Sequence, residues 1–155
     1  MTDAAIRNAT ADDLPAVIAL TEAAYAPYTA LFGAAPIPVG TDYAPRIAAG
    51  DGWLLDSNTV PAGLLVLERH ADHVLIFSIA VAPQHQGKGF GIRLLAWAEQ
   101  QARAADVAEV RLYTNARMER NIALYAACGY RETGRRPNLS RTGGTRVDMA
   151  KSVAA

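Results

Sequence analysis

The chain has 155 residues, with 15 Lys and Arg against 15 Asp and Glu, a formal net charge of zero and 51% apolar side chains. That length suits a single domain over residues 1–155 able to bury roughly two-thirds of its unfolded surface, and the neutral balance gives no electrostatic reason to expect nucleic acid as a partner. No apolar run approaches the ~18 residues of a membrane span and no basic-then-apolar leader opens the chain, so no membrane partner is expected; the lone Cys128, with no internal disulfide to make, suits a reducing cytoplasm.

In chain order, Ile6-Arg7 reads as a short edge strand and Thr10-Ala-Asp12-Asp13 as a helix cap. Leu14, Val17, Ile18, Thr21 and Tyr25 follow helical spacing, with Pro15 tolerated in the first turn. Pro27, Pro36 and Pro38 with Gly33 and Gly40 make residues 27–40 a loop or broken helix. Residues 42–49 fit a second short helix closed by Gly50. Trp53-Leu54-Leu55 and residues 63–67 are apolar runs joined through Ser57-Asn58 as a hairpin, and residues 74–81 form a further strand. A long helix to about residue 105 comes next, then a strand at 109–113, a short helix at 121–128 ended by Gly129, and two closing strands at 130–136 and 145–153. Hairpins and helical crossovers both occur, so the fold class is α/β with a mixed central sheet of about seven strands flanked by about four helices.

The run VAPQHQGKGFGIRLL at 81–95 carries the most chemistry. A strand feeds a glycine-rich turn that opens directly into a helix, where unpaired N–H groups and the positive end of the helix dipole favour an anion. The turn is therefore expected to hold phosphate with backbone donors. A dinucleotide turn needs G-x-G-x-x-G, but Ile92 and Leu94 stand three residues after Gly89 and Gly91. A P-loop needs Ser or Thr after its Gly-Lys pair, and Gly89 follows Gly87-Lys88.

What remains is Q-x-x-G-x-G at Gln86, Gly89 and Gly91, which resembles the acyl-CoA pyrophosphate loop of the GNAT superfamily of N-acetyltransferases. The order β-α-α-β-β-β-α-β-α-β-β is similar to the GNAT fold element by element over residues 4–152. A second segment, Asn121-Ile-Ala-Leu-Tyr125-Ala-Ala-Cys-Gly129-Tyr130, resembles the family's Asn- and Tyr-bearing helix that ends in Gly-aromatic. Asn121 and Tyr125, four apart, share one helix face.

The resemblance implies acetyl-CoA as cosubstrate, no metal, and direct attack by an amine on the thioester within a ternary complex. It places Tyr125 near the thioester sulfur as general acid. It assigns the backbone of Ile79, Ala80 and Val81 to the pantetheine amides and to stabilising the oxyanion. Gln86, Gly87, Lys88, Gly89, Phe90, Gly91 and Ile92 then cradle the pyrophosphate, with Asn121 beside the cofactor. A thiol pKa of about 8.5 against about 10 for tyrosine makes full proton transfer from Tyr125 uphill by roughly 2 kcal/mol, so hydrogen bonding to the developing thiolate is the expected role.

Many relatives place a glutamate where this chain has Phe77. The expected substitutes for the base are Glu68 on the preceding strand or a water chain through Ser78. His70 and His73 lack the further ligands a metal site requires. Tyr25, Tyr28 and Phe32 are candidates to line the acceptor pocket, and Arg131, Arg135, Arg136, Arg141 and Arg146 to attract an anionic acceptor or the 3′-phosphate of CoA. The partner is expected to be a small-molecule or peptide amine, with exposed sheet edges near the C-terminus able to pair two copies as a homodimer. The competing function is an acyl-CoA sensor without turnover, kept open by Phe77; transfer of a longer acyl group is a third reading.

Overall fold

The structure, a computed structural model, describes residues 4–154. Its elements are β1 (Ala4–Asn8), α1 (Leu14–Phe32), α2 (Ala44–Ala48), β2 (Gly52–Ser57), β3 (Val60–Arg69), β4 (His73–Val81), α3 (Phe90–Ala104), β5 (Glu109–Asn115), α4 (Glu119–Ala127), β6 (Arg131–Pro137) and β7 (Thr145–Ser152). One-turn 3-10 segments, Ala11–Asp13 and Pro83–His85, precede α1 and follow β4. The strands form one seven-stranded sheet in the order β1-β2-β3-β4-β5-β7-β6. All neighbours run antiparallel except β4 and β5, whose parallel pairing is made possible by the crossover through α3.

The central strands bury both faces, which explains their near-continuous apolar runs. Trp53, Leu55, Leu65 and Leu67 point to one face and meet Leu94, Leu95, Ala98 and Ala102 of α3. Leu54, Leu64 and Val66 point to the other and meet Val17 and Leu20 of α1 with Tyr43 and Ile47 around α2. Each such fully buried aliphatic side chain contributes on the order of 1.5–3 kcal/mol. Helix α3 lies close to β3 because Gly63 has no side chain: a Cβ there would stand 3.0 Å from Leu94 Cδ1. At the sheet edge, Arg7 on β1 ties three segments together, bonding Asp56 on β2 (Nε to Oδ2, 2.6 Å) and Asp13 ahead of α1 (Nη1 to Oδ2, 2.8 Å).

The expected order of elements stands, with shifted ends. Helix α1 continues through Pro27 to Phe32 rather than breaking at residue 27, and Gly33 ends it in the left-handed region (φ 71°). Proline removes one backbone donor and crowds one carbonyl, a local cost that a helix of 19 residues packed on the sheet absorbs. Strand β1 is longer than Ile6-Arg7, and α2 is shorter than residues 42–49. The hairpin turn sits at Asn58-Thr59, both with positive φ (50° and 69°), as tight hairpins require. Among the described residues no helix is long and apolar enough to cross a membrane.

Two irregularities in β4 shape the middle of the sheet. The register of β4 with β3 slips between Val66↔Ser78 and Leu67↔Ile76, so Phe77 is an extra, bulged residue. Val74 and Ile76 pack toward α3 before the bulge, and Ile79 and Val81 after it, so the bulge exchanges which positions face which side. The second irregularity is that β4 and β5 pair only at His73↔Glu109, Val74↔Val110 and Leu75↔Arg111. Beyond Leu75 the two central strands part, and the sheet opens between them.

Candidate active site

Beyond the parting point, the edge of β4 that faced β5 is left exposed. Ala82 N–H bonds Ala62 O on β3 at 2.8 Å, so by alternation Ala80 also directs its peptide group to β3, while Ile79 and Val81 direct theirs into the opening. The Ile79 carbonyl accepts a hydrogen bond from Tyr25 Oη (3.0 Å) and the Val81 carbonyl from Gln86 Nε2 (3.2 Å). Of the three residues expected to meet pantetheine, Ile79 and Val81 thus face the opening and Ala80 does not.

From Val81 the chain passes into the glycine turn. Gly87 and Gly89 both take φ of 81°, and a Cβ at either would meet nothing within 4 Å. The turn is thus a left-handed backbone path with open space on its outer side. Gly89 is the N-cap of α3, and the first helical bond is Arg93 N–H to Gly89 O at 3.2 Å, leaving the amides of Phe90, Gly91 and Ile92 as orphan donors of the first turn. Gln86 braces the turn through Val81, and Lys88 Nζ lies 3.2 Å from His85 Nδ1. This geometry fits a pyrophosphate: backbone donors, a helix dipole and one lysine, with no carboxylate within the turn.

Where the sheet opens there is a pocket. Its walls come from β4 (Ile76, Phe77, Ile79), β5 (Leu112, Tyr113, Thr114, Asn115), α1 (Tyr25, Phe32), α4 (Asn121, Tyr125) and two loops, with Pro36, Ile37 and Pro38 on one and Asn138, Ser140 and Thr142 on the other. Arg146 of β7 completes it. Asn121 and Tyr125 enter from the same helix face, as their spacing predicts. Tyr125 is 7% exposed, and its hydroxyl has no hydrogen-bond partner among the described residues. Burial pushes its pKa well above that of a free phenol. Burial raises Tyr25 likewise, so both phenols are neutral.

Phe77 lines this pocket, and the Arg46 guanidinium carbon, from a residue that does not line it, lies 3.6 Å from the centre of the Phe77 ring. Arg46 in turn pairs with Glu68 (Nη1 to Oε2, 2.9 Å). Glu68 does not line this pocket; it lines an adjoining hollow with His70 and His73, which shares Leu112, Tyr113 and Arg146 with the pocket. Ser78 is 1% exposed, turned toward the tyrosine hydroxyls of Tyr25 and Tyr43, and does not line the pocket. The structure does not bring Glu68 or Ser78 together with Tyr125. Among the described residues no Asp or Glu lines this pocket, and no group of three or more His, Cys, Asp or Glu that could hold a metal ion occurs.

Known proteins share this fold. Residues 17–130 match the family model described as the acetyltransferase (GNAT) family. The chain belongs to this family. GNAT structures with similar folds include the PaiA N-acetyltransferase of Thermoplasma acidophilum in complex with coenzyme A (TM-score 0.80, 16% identity, 97% of this chain and 99% of that one). Another is the ribosomal-protein-S18-alanine N-acetyltransferase of Escherichia coli (TM-score 0.76, 22% identity, 99% and 96%). A third is Naa50 of Arabidopsis thaliana in complex with the bisubstrate analogue CoA-Ac-MVNAL (TM-score 0.76, 21% identity, 96% and 98%).

Several pocket residues carry no sequence signal. Tyr113, Asn115, Met118, Asn138, Ser140 and Thr142 belong to no recognisable spacing. Asn138 bonds Thr142 Oγ1 and Gly143 O (each 3.0 Å), and Asn115 reaches the same Gly143 O at 3.0 Å. Asn115 lies on β5 and the other three on the loop between β6 and β7, so only the folded chain brings Asn115 to that loop. Tyr25 and Phe32, the aromatic candidates from the N-terminal third, do line the pocket; Tyr28 stacks on Phe32 with ring centres 6.1 Å apart.

Proposed function

We propose that the protein is an acetyl-CoA-dependent N-acetyltransferase that passes the acetyl group to an amine by direct attack in a ternary complex. The observation that carries this reading is the opening between β4 and β5, which leads into the glycine cradle and holds the unpartnered Tyr125 hydroxyl. Bound in the cradle, acetyl-CoA would supply an activated thioester carbonyl. The backbone N–H groups of Ile79 or Val81, facing the opening, are placed to stabilise the carbonyl oxygen as it gains charge. The amine nitrogen bonds the carbonyl carbon, the carbon–sulfur bond breaks, and the amine proton leaves to water, since no carboxylate lines the pocket among the described residues.

Tyr125 donates a hydrogen bond to the departing sulfur. Its raised pKa makes complete proton loss harder than for a free phenol, so solvent restores the thiol afterwards. Phe77 against the pocket supports a short acyl group over a long one. The lone Cys128 supports a cytoplasmic setting, and β6, exposed along its whole length, is the edge through which two copies would pair. The deciding experiment is thiol release from acetyl-CoA across a panel of amines, with product masses determined. Amine-dependent release with a mass gain of one acetyl group supports transfer. Tight acetyl-CoA binding without release from any amine favours the sensor, and absence of binding removes the cosubstrate assignment.

A further inference from the structure

The acceptor end of the pocket has an unusual charge balance. Its walls are largely apolar and aromatic, with Phe32, Ile37, Phe77, Tyr113 and Met118 among them. Its one cationic side chain among the described residues is Arg146, and no anionic side chain of those residues lines it. Arg146 is held in place: its guanidinium carbon lies 3.8 Å from the centre of the Tyr113 ring, and its Nε donates to Asp148 Oδ1 at 2.8 Å. Asp148 is shared, because Arg136 donates to the same carboxylate through Nε (3.0 Å) and Nη2 (3.3 Å). Two guanidiniums on one carboxylate leave a net positive charge. Neither Nη of Arg146 has a hydrogen-bond partner among the described residues.

We propose that the acceptor is a small amine bearing a carboxylate on an apolar or aromatic body, of the class of the apolar α-amino acids, and that Arg146 binds the carboxylate; this rests on the acetyl-transfer reading above. A guanidinium whose plane is fixed by stacking, with donors uncommitted, is suited to a planar oxyanion. The apolar walls take the body of such a molecule. A polyamine or another dication would bring its second ammonium beside Arg146, where the nearest carboxylate, Asp148, is already taken by two guanidiniums. The pocket thus selects against dications as well as for this class.

The test uses matched acceptors with the purified protein and acetyl-CoA: phenylalanine, leucine and methionine, each beside its decarboxylated amine and its amide, with putrescine and spermidine as dications. Thiol release and acetyl-CoA affinity are both measured. The expected result is a kcat/KM at least tenfold higher for the carboxylates than for their neutral partners, carried by KM. In Arg146→Gln that ratio collapses toward one, and Arg146→Lys, which keeps the charge without the fork, falls between. Acetyl-CoA affinity of each variant verifies that it is folded; if the glutamine variant fails this check, the lysine variant decides. Preference for neutral amines or dications, a ratio that survives loss of Arg146, or no turnover of any of these acceptors by a protein that binds acetyl-CoA overturns the proposal. Failure to bind acetyl-CoA overturns the transfer reading instead.

Discussion

Tyr125 is a phenol kept neutral by burial, in a pocket that no Asp, Glu or His lines among the described residues. Its pKa and that of Tyr25 are both displaced upward, so neither loses its proton as the pH rises toward 10. In the proposed mechanism, the only proton that must leave before attack is that of the acceptor ammonium. The pH profile of kcat/KM is therefore expected to climb tenfold per unit up to the acceptor's own amine pKa, without an earlier plateau from an enzyme carboxylate and without a descending limb below pH 10. Acceptors of different amine pKa should move the inflection; a fixed inflection near 6–7 would show that an enzyme base acts after all. Tyr125→Phe should lower kcat by about 10²-fold while acetyl-CoA affinity changes less than about twofold. Equal losses in both would make Tyr125 a packing residue. The pairing of Asn121 with Tyr125 was legible in their spacing, because a helix places i and i+4 on one face whatever it packs against. The isolation of Glu68 was not, because the Arg46 side chain that takes it comes from α2, 22 residues earlier in the chain.

At the scale of elements, the strand–turn–helix from β4 to α3 is the unit to which the proposed function assigns cosubstrate binding. Gly89→Ala tests it cleanly, because the added methyl meets no atom within 4 Å yet must hold φ of 81°. A left-handed L-residue costs roughly 1–2 kcal/mol, which the turn relieves by shifting the amides away from their cradle. Acetyl-CoA should bind about tenfold more weakly, read by calorimetry, with the α3 core unchanged. Unaltered affinity would mean that the left-handed path is not what aims the donors. The turn was readable in sequence because glycine spacing and a following helix are local properties. The run of α1 through Pro27 was not, since the penalty is local and the packing that overrides it is distant. The bulge at Phe77 was equally hidden, because a register slip is defined only against a partner strand.

Across the whole molecule, the pocket is closed by two loops that meet from opposite ends of the chain. Arg141 joins them: its Nε bonds Ala35 O at 2.5 Å, and Nη2 bonds Pro36 O at 3.0 Å and Val39 O at 2.7 Å. Each net hydrogen bond contributes about 0.5–1.5 kcal/mol, so Arg141→Ala should loosen the roof of the pocket more than it destabilises the fold. The expected outcome is an acceptor KM raised by roughly five- to tenfold, with smaller changes in kcat and acetyl-CoA affinity. Steady-state kinetics with both substrates varied would check this; a loss confined to acetyl-CoA would remove Arg141 from the acceptor side.

The order of strands and helices, the glycine-rich turn that opens into α3 and the helix face shared by Asn121 and Tyr125 could all be read from the residues alone. These three features rest on interactions within a few positions of one another: hydrophobic period, capping, and the backbone freedom of glycine. Folding was needed to establish that β4 and β5 part after Leu75, that Phe77 turns into the gap, and that Glu68 is held away from it. The same is true of Arg146, which stands in the pocket wall because Tyr113 and Asp148 hold it there. These arrangements depend on contacts between elements far apart in the chain, whose energies exist only once the sheet has assembled.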